Sequence, residues 1–488
     1  MQVFQQIIFR AREREDEPAV ATASGVVSYR TLARSVETAV TRLGPLERAG
    51  ALAVIDVADP LHHLCLVLAL GLLGVPSASL IGGGPLPDIG PAPTLLLSDR
   101  PRPEAASLTL REVDAGWFAG DPHAAPDYAR LLGLPTLEPD AIVRLLYSSG
   151  TTGRRKCVAY TMAGLTSLLI GSSHVISGRN ALRGAGMSLM DLSIVSGNSM
   201  AFATLCRGGL LCLPASPAHA IDLIRLFQVE YLTASIGQMQ GLLDLLRGRQ
   251  PLHSLKNVML MGARLPLRSL AEARARLCHE INFIYGSTEL GIVAVGSGSA
   301  IERQEGSVGY VVPGVAVEIV DAAGKPLPPG EEGAVRIRTP NQMYYVGTFG
   351  ERLETLTDGW FYPGDRARLA ADGQLLIVGR NGDVLNKGGV IVAPEVIEEA
   401  YAKDPGVKDL AAVGVRNARG LEEVWLAVVV DDGVDLKALA ARGAALLRER
   451  AADRLVRVAS IPRTENRKVQ RARLRDDLQA LATPPRAS

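Results

Sequence analysis

Strand-like and helix-like segments alternate along most of the chain up to about residue 300, and this alternation constrains the fold more than any other feature. The strand-like runs are short and apolar, whereas the intervening segments have the length and pattern of helices. The predicted strands are 51–57, 94–98, 142–147, 210–213, 258–261 and 282–285, and the predicted helices are 62–73, 218–227 and 267–279. Such alternation predicts parallel sheets covered by helices, that is, an α/β fold.

The pattern changes after about Gly306. Short strands are predicted at 315–320, 333–338 and 375–378, separated by turn clusters such as DAAGKPLPPGEEG, which indicates a small antiparallel barrel or sheet. After Arg380, a helix at 394–402, a strand at 423–430 and a basic helix at 435–450 indicate a compact α+β unit. We therefore predict a large N-terminal domain, residues 1–380, and a small C-terminal domain, residues 381–488.

The composition is that of an ordinary globular protein. Of 488 residues, 47% are hydrophobic and 21% charged, and the formal net charge of +1 gives no field directed at nucleic acid. The longest apolar stretch, 64–75, is shorter than the roughly 20 residues of a membrane span, so we expect a buried helix there. Five scattered cysteines fit free thiols, and the charged N-terminal segment lacks a signal-peptide pattern. A cytoplasmic protein is expected.

The segment 146–156, LYSSGTTGRRK, follows a predicted strand and combines glycines, hydroxyls and three cations. Glycines let backbone N–H groups approach an anion, while hydroxyls and Lys156 add donors and charge. The loop differs from a Walker loop, because no lysine directly follows Gly153. From these residues alone, a polyphosphate site and a Ser/Gly turn without a ligand are both open.

A second polar cluster, YGSTE at 285–289, stands at the end of the predicted strand 282–285. Its ring can stack on a base, its hydroxyls can contact phosphate oxygens and its carboxylate can hold Mg²⁺. Open α/β sheets bind ligands outside such strand ends. The alternative is a turn with a helix-capping Thr and Glu.

Three further polar residues lie in loops nearer the C-terminus. Asp365, in GWFYPGD, can accept both hydroxyls of a ribose, and Arg380, in IVGRNGD, can bridge sugar and phosphate. Lys468, in IPRTENRKVQR, lies among the arginines Arg467, Arg471 and Arg473. Taken singly, Asp365 and Arg380 are better explained as turn residues. Lys468 and the three arginines around it are better explained as solvated surface charges.

Together and in this order, the segments resemble the adenylate-forming superfamily of acyl-CoA synthetases, peptide-synthetase adenylation domains and luciferases. The resemblance covers nearly the whole chain. It begins with YRTLARSVETAV (29–40), passes through YSSGTTGRRK, YGSTE, DGWFYPGD and GRNGDVLNKGGVIVAPEVIEE, and ends at RTENRK. It implies an ATP-dependent, Mg²⁺-dependent ligase that converts a carboxylic acid to acyl-AMP. The acyl group then passes to the thiol of CoA or of a carrier protein's pantetheine.

The resemblance assigns the nucleotide site residue by residue. Tyr285 packs on adenine next to Gly286, with the backbone of Gly262 and Ala263 on the other side. Thr288 contacts the α-phosphate and Glu289 binds Mg²⁺. The loop that holds the β- and γ-phosphates comprises Ser148, Ser149, Gly150, Thr151, Thr152, Gly153 and Lys156.

The remaining assignments concern the ribose and the C-terminal domain. Asp365 resembles the ribose-binding aspartate and Arg380 the arginine beside the hinge. Lys468 matches the catalytic lysine that bridges the substrate carboxylate and the nucleotide. Gly389 resembles the small residue that lines the pantetheine tunnel. Lys156, Thr288 and Lys468 are the expected catalytic groups, because cations and donors must offset the repulsion between a carboxylate and a triphosphate.

Several positions depart from the family pattern. Gly382 stands at the usual charged hinge position, and Pro363 replaces a threonine before Gly364. Arg467 replaces the glycine before Lys468, and Cys157 the glycine after Lys156. Gly382 relaxes the hinge, because glycine is conformationally permissive. Arg467 puts the placement of the catalytic lysine in question.

The acid is predicted from the segments that form the acyl pocket in the family, here 188–200, 261–264 and 286–293. They are mostly apolar or small, which favours an uncharged aliphatic or aromatic tail. MDLS at 190–193 resembles the FDxS of amino-acid-activating domains, so amino-acid adenylation through Asp191 is an alternative. Arg264 could pair with a second carboxylate. A binding protein without catalysis, or adenylation without a thiol step, also stays open.

Overall fold

The computed structural model describes most of the chain. The described residues are 1–44, 51–80, 93–102, 108–118, 124–147, 157–177, 184–262, 265, 267–304, 306–339, 345–346, 356–380, 385–387, 390–392, 394–417, 422–464 and 468–482.

The five helices predicted from the sequence are all present, with small shifts at the ends of four of them. The predicted helix 267–279 ends three residues earlier, and 435–450 ends in a 3₁₀ turn from Arg448. The helices are α1 Val3–Glu13, α2 Tyr29–Leu43, α3 Pro60–Leu73, α4 Tyr128–Leu132, α5 Met162–Ser177, α6 Val195–Cys206, α7 Pro217–Phe227, α8 Ile236–Leu246, α9 Leu267–Arg276, α10 Gly298–Arg303, α11 Pro394–Ala402, α12 Leu436–Leu447 and α13 Arg471–Ala482.

The strands are short, and each predicted strand is present. They are β1 Pro18–Thr22, β2 Gly25–Ser28, β3 Ala53–Asp56, β4 Ser77–Ser79, β5 Leu95–Ser98, β6 Thr109–Glu112, β7 Ile142–Tyr147, β8 Cys157–Thr161, β9 Gly186–Ser188, β10 Leu211–Cys212, β11 Tyr231–Ser235, β12 Asn257–Met261, β13 Ile281–Ser287, β14 Gly291–Ser297, β15 Ser307–Val311, β16 Ala316–Val320, β17 Gly333–Arg338, β18 Tyr345–Val346, β19 Leu356–Thr357, β20 Trp360–Phe361, β21 Asp365–Leu369, β22 Leu375–Arg380, β23 Leu385–Lys387, β24 Val390–Val392, β25 Val407–Arg416, β26 Glu422–Val430 and β27 Arg454–Arg457.

The chain forms two compact units. The first comprises residues 1–299, 312–315 and 339–356, and the second 300–311, 316–338 and 357–488. The antiparallel strands after residue 306 thus group with the C-terminal α+β segment. The domain boundary predicted at residue 380 concerns which part moves during the reaction, and it stays a prediction.

The first unit contains two sheets whose inner strands are parallel. One sheet has the order β18-β8-β7-β4-β3-β5-β6, with β7, β4, β3, β5 and β6 parallel. Within this unit the other sheet has the order β14-β13-β12-β11-β9-β10-β1-β2, parallel from β13 to β1. Helices cover these sheets, which confirms the predicted α/β class.

Helix α3 illustrates how local sequence sets these elements. The Asp59 carboxylate accepts from the His62 backbone N–H at 2.8 Å, Pro60 occupies the first turn, and Gly74 ends the helix at a φ of 72°. These are the start and stop signals of a helix. Leu64 to Leu72 are buried all round the helix, as the apolar run 64–75 predicted.

The second unit contains an antiparallel sheet and a three-stranded α+β layer. In the sheet, β17 pairs with β16, β20 and β21, and β22 pairs with β21 and β15. Further along, β26 lies between antiparallel β25 and parallel β27. Alternate residues of β25 pack in two cores: Leu410 and Ala412 with α11 and α12, Ala411 and Val413 with α13. Strand β25 and helix α13 were missed by the sequence analysis.

Candidate functional site

Four parallel strands of the first unit end at one edge of the sheet. Strands β9, β11, β12 and β13 end at Ser188, Ser235, Met261 and Ser287. The ends of β11 and β12 pair directly, β9 ends level with Thr233, and β13 extends beyond Ile284, the residue that pairs with Met261. Because ligands bind outside the carboxyl ends of parallel strands, this edge is the expected binding edge. The predicted residues Gly262, Tyr285, Gly286, Thr288 and Glu289 follow or end these strands and are therefore brought together.

The YGSTE segment forms the end of strand β13 and the beginning of the turn of a β-hairpin. Strand β13 continues to Ser287, two residues beyond the prediction, and returns as antiparallel β14 with a bulge between Tyr285 and Gly286. A Cβ added at Gly286 would lie 2.0 Å from the carbonyl oxygen of Gly291, which itself has a φ of 71°. The hairpin therefore requires glycine at both positions, for lack of space at the first and for backbone conformation at the second.

Thr288, at the tip of this hairpin, is held from a neighbouring sheet. The side chain of Thr288 is largely buried, and its carbonyl oxygen accepts a hydrogen bond from the hydroxyl of Tyr160. Tyr160 is fully buried on β8, the strand that directly follows the predicted phosphate loop. The sequence analysis missed Tyr160, since a tyrosine in an apolar strand carries no signal of a partner 128 residues away.

The predicted phosphate loop, Ser148 to Gly153 and Lys156, lies outside the described residues. The strands on either side of it are antiparallel neighbours, and Tyr147 pairs directly with Cys157. The chain therefore enters and leaves this loop at adjacent positions of one sheet. Ala263, Arg264, Gly382, Gly389 and Arg467, also named above, lie outside the described residues as well.

The described residues fit a nucleotide with magnesium. Gly262 is exposed with a φ of 95°, directly after Met261 and beside the β13 strand, so its backbone is accessible to a planar base. Glu289 is half-buried in the hairpin turn. Magnesium bound to phosphates needs only one or two protein carboxylates, so a single glutamate suffices. Within the described ranges no cluster of three His, Cys, Asp or Glu side chains forms a separate metal site.

In the second unit, Asp365 and Arg380 are cross-strand neighbours. Asp365 begins β21 and pairs in register with Arg380 at the end of β22, and its side chain is 7% exposed. Gly364, just before it, has a φ of 80°, which suits a glycine after Pro363. The residue that the resemblance assigned to the ribose and the arginine that it assigned beside the hinge are therefore directly opposite each other on neighbouring strands.

Lys468 lies at the base of a tight hairpin. The Thr464 backbone N–H donates to the Lys468 carbonyl at 2.8 Å, and the Lys468 N–H donates to the Thr464 hydroxyl oxygen at 3.2 Å. The next pair, Arg463 and Val469, is joined by an antiparallel bridge. We call residues 462–464 and 468–470 the lysine hairpin. Its reciprocal bonds determine the position of the lysine backbone.

Ion pairs anchor both ends of the lysine hairpin. Arg463 contacts both carboxylate oxygens of Asp409 on β25, at 3.1 and 2.6 Å. Arg471 contacts Glu398 at 2.5 Å and Glu395 at 3.2 Å, and its side chain is only 12% exposed. The interpretation of Arg471 as a solvated charge was therefore wrong, because helix α11 brings two carboxylates to it. Arg473 is exposed, as expected.

The aspartate of the MDLS segment serves its own turn. Asp191 is exposed, and its carboxylate accepts from the backbone N–H of Ser193 at 2.7 Å and from the Ser193 hydroxyl. This turn precedes helix α6, which begins at Val195.

The cysteines are poor nucleophiles. Burial raises the pKa of Cys157, Cys206 and Cys212 to about 12, and it also raises the pKa of Cys65 and Cys278. All five are protonated at neutral pH, and thiolate is the reactive form. Among the described helices, none has both the length and the apolar character needed to cross a membrane.

Comparison with known proteins defines the class. Residues 91–345 match the family model described as AMP-binding enzyme. The chain is 30% identical over 365 residues to the fatty acid–[acyl-carrier-protein] ligase ScoC of Streptomyces coeruleorubidus, covering 69% of this chain and 68% of that protein. It is 26% identical over 400 residues to the medium-chain fatty-acid–CoA ligase of Escherichia coli K12, covering 78% and 67%.

Solved structures agree on the fold. The ATP-bound structure of MatB from Rhodopseudomonas palustris matches with a TM-score of 0.82 at 21% identity, over 99% of this chain and 100% of that one. The chain belongs to the AMP-binding enzyme family. It is an AMP-forming acid–thiol ligase that uses ATP, which confirms the predicted enzyme class and fold.

Proposed function

We propose that the chain activates a carboxylic acid with an uncharged aliphatic or aromatic tail, using ATP and Mg²⁺, and transfers it to CoA or to carrier-protein pantetheine. The observation that carries the proposal is the turn that contains the buried Thr288 and the half-buried Glu289. It lies at the ligand-binding edge of a parallel sheet and is tied through Tyr160 to the strand that follows the phosphate loop.

The charges along the acid segments support an uncharged tail. In 188–200, 261–262 and 286–293, the described charged side chains are Asp191 and Glu289, and both are anionic. Among the described residues of these segments there is therefore no cation that could pair with a second carboxylate of the acid; Arg264, the candidate for that role, lies outside the described residues. Because Asp191 is exposed and engaged with Ser193, its geometry does not favour binding an ammonium group. The two ligase relatives named above act on fatty acids, by their names.

Each protein group has a role in the proposed adenylation. The Thr288 hydroxyl contacts the α-phosphate, Tyr285 with Gly286 packs on adenine, and Asp365 accepts the ribose hydroxyls near Arg380. Glu289 would hold magnesium, which would supply positive charge to stabilise the leaving pyrophosphate. Lys468 and Lys156 offset the repulsion between the attacking carboxylate and the triphosphate. Positioning supplies much of the remaining rate enhancement.

The second half-reaction transfers the acyl group to the thiol. The thiol sulfur attacks the acyl carbonyl and AMP leaves, so no enzyme nucleophile is required. We propose that residues 381–488 turn as a unit, which withdraws Lys468 and brings Gly389 to the pantetheine. The acceptor is CoA or a carrier protein, in line with the names of the two relatives.

The test measures the two half-reactions separately. We expect Lys468→Ala to abolish acid-dependent ATP–pyrophosphate exchange while sparing thioester formation from preformed acyl-AMP. Lys437→Ala, an exposed lysine of the same unit, is the control and should leave both steps unchanged. Equal loss of both steps in Lys468→Ala would contradict the two-orientation mechanism.

A hydroxylamine-trapping screen identifies the acid. Fatty, aryl, dicarboxylic and amino acids are each offered with ATP, and the hydroxamate is measured. Hydroxamate from a fatty or aryl acid is expected. Preference for an amino acid or a diacid would contradict the proposed substrate class, and no product with any acid would contradict catalysis.

A further inference from the structure

An arginine is completely buried inside the first unit, on the strand that leads into the phosphate loop. Arg144 lies on β7, and its side chain has no exposed surface. One terminal nitrogen donates to the carbonyl and hydroxyl oxygens of Ser77, at 2.9 and 3.1 Å. The other donates to the Ser79 hydroxyl at 2.5 Å and to the carbonyl of Leu192 at 3.1 Å. Burying a guanidinium is costly unless its hydrogen bonds are satisfied, so these contacts define its position.

The Leu192 carbonyl connects Arg144 to the proposed acid pocket. Leu192 belongs to the segment 189–194, which follows β9 at the binding edge of the other sheet. The same carbonyl accepts a second hydrogen bond, at 3.2 Å, from the fully buried Asn198 amide on α6. Two buried donors from two elements therefore converge on one oxygen of this segment.

The rest of the segment is held along its length. The Gln238 side chain donates to the Leu189 carbonyl at 2.6 Å, and the Met190 N–H donates to the Ser188 hydroxyl at 3.0 Å. A Cβ added at Gly197 would lie 2.0 Å from the Asp191 carbonyl oxygen, so helix α6 packs against this backbone with no spare room. Residues 189–194 thus form a rigid wall, which we call the acid wall.

His63 orients the Ser79 hydroxyl, whose oxygen accepts a hydrogen bond from Arg144. His63 contacts the Val57 carbonyl through Nδ1 at 3.2 Å and the Ser79 hydroxyl through Nε2 at 2.6 Å. Burial, and then Arg144, lower the pKa of His63 to about 4, so the ring is neutral at neutral pH. Because a carbonyl can only accept, Nδ1 carries the proton and Nε2 accepts from Ser79. The Ser79 oxygen is thereby oriented to accept from Arg144.

We propose that Arg144 is a positioning residue that holds the acid wall in register with the strand entering the phosphate loop, and so determines the affinity and selectivity for the acid. The inference rests on the proposed function, because it assigns the acid to this wall. Arg144 itself is buried and does not touch the substrate. It acts through the Leu192 carbonyl, whose displacement would move the adjacent side chains of the pocket.

The test uses Arg144→Met, which preserves most of the volume but removes every donor. We expect KM for the acid to rise about tenfold while KM for ATP changes less than about twofold, since only the acid side of the site moves. The ratio of kcat/KM for a longer or bulkier acid to kcat/KM for the preferred acid should be higher in Arg144→Met than in the wild type. Ser77→Ala is the matched control, because it removes one contact of Arg144 and leaves the bond to Leu192. In Ser77→Ala, KM for the acid and KM for ATP should both stay unchanged.

Asn198→Leu provides a second variant if Arg144→Met fails to fold. It removes the other donor to the Leu192 carbonyl, and it should raise KM for the acid selectively as well. Parallel increases in both KM values, or an unchanged acid KM in a folded variant, would overturn the proposal.

Hydrogen exchange separates this proposal from the proposed function. The amides of Met190 and Ser193 belong to the acid wall and donate to the Ser188 hydroxyl and the Asp191 carboxylate. They should exchange faster in Arg144→Met than in Ser77→Ala, whether or not the acid is known. Unchanged exchange would overturn the coupling itself. A wild-type protein inactive with every acid, but with the expected exchange pattern, would instead contradict the proposed function.

Discussion

Two hairpins carry proposed catalytic residues, one in each unit, and they are stabilised by different forces. The β13–β14 hairpin, with Thr288 and Glu289, is held by close glycine packing and a neutral hydrogen bond from buried Tyr160. The lysine hairpin around Lys468 is anchored by ion pairs of Arg463 and Arg471 with carboxylates.

The difference has a physical consequence. A hydrogen bond between neutral groups does not depend on the salt concentration. The buried first hairpin does not tolerate small increases in side-chain volume, because the protein interior is close-packed. The ion pair of Arg463 with Asp409 is partly exposed, so it tolerates changes in volume, contributes little and weakens with ionic strength. The first hairpin is suited to a rigid nucleotide site, and the second to a lysine that leaves the site in the proposed mechanism.

The largest effect is expected from Gly286→Ala. The new methyl group would lie 2.0 Å from the Gly291 carbonyl oxygen, so the hairpin must open. We expect a loss of about 1–3 kcal/mol of unfolding free energy. Adenylation should fall by about a hundredfold, measured by pyrophosphate exchange.

The control for this variant is Gly241→Ala on α8, where an added Cβ meets nothing within 4 Å and φ is ordinary. It should leave activity unchanged and raise stability by about 0.5–1 kcal/mol, because alanine favours a helix. A fully active Gly286→Ala would show that the first hairpin is not rigid.

A smaller effect is expected from Tyr160→Phe, which leaves the buried Thr288 carbonyl without this donor. Stability should fall by about 1–3 kcal/mol. The rate of adenylation should fall by about tenfold, because the turn is less well positioned. Because the lost bond is neutral, the rate ratio to wild type should not depend on salt.

Tyr29→Phe is the matched comparison. Tyr29 is also fully buried, and its hydroxyl donates to the Gly209 carbonyl at 2.7 Å, away from the ends of β12 and β13. Tyr29→Phe should lower the free energy of unfolding about as much as Tyr160→Phe does, while the rate of adenylation stays unchanged. Equal rate losses in the two variants would reduce the role of Tyr160 to stability alone.

The smallest effect is expected from Arg463→Ala. The Arg463 and Asp409 side chains are 29% and 34% exposed, so their pairing contributes about 1 kcal/mol or less. Adenylation should slow about two- to threefold in low salt, and the difference from wild type should shrink near 0.5 M NaCl as screening increases. The rate is measured by pyrophosphate exchange across a salt series.

Lys408→Ala serves as the control, since Lys408 pairs with Asp431 on the same sheet and its side chain is 61% exposed. It should leave the rate unchanged at every salt concentration. If the adenylation rate of Arg463→Ala were reduced by the same factor at every salt concentration, the proposed difference between the two hairpins would be wrong.

The predictable part of the molecule is the part encoded in short stretches. Strand β7 and helix α11 were predicted at their observed bounds, and the order of the motifs identified the enzyme class. Strand β25 was missed because both of its faces are buried, which removes the alternation that marks a half-exposed strand. Arg471 was misread because its carboxylate partners come from another helix.

The sequence by itself determined the alternation of strands and helices, the glycines of the turns and the family, since these depend on neighbours within a few residues. Only the tertiary structure decided that Tyr160 holds Thr288, 128 residues away, and that Arg144 holds Leu192, 48 residues away. The physical reason is that a hydrogen bond depends on where two groups meet in space. A buried tyrosine or arginine has the same local pattern whichever carbonyl the fold brings to it.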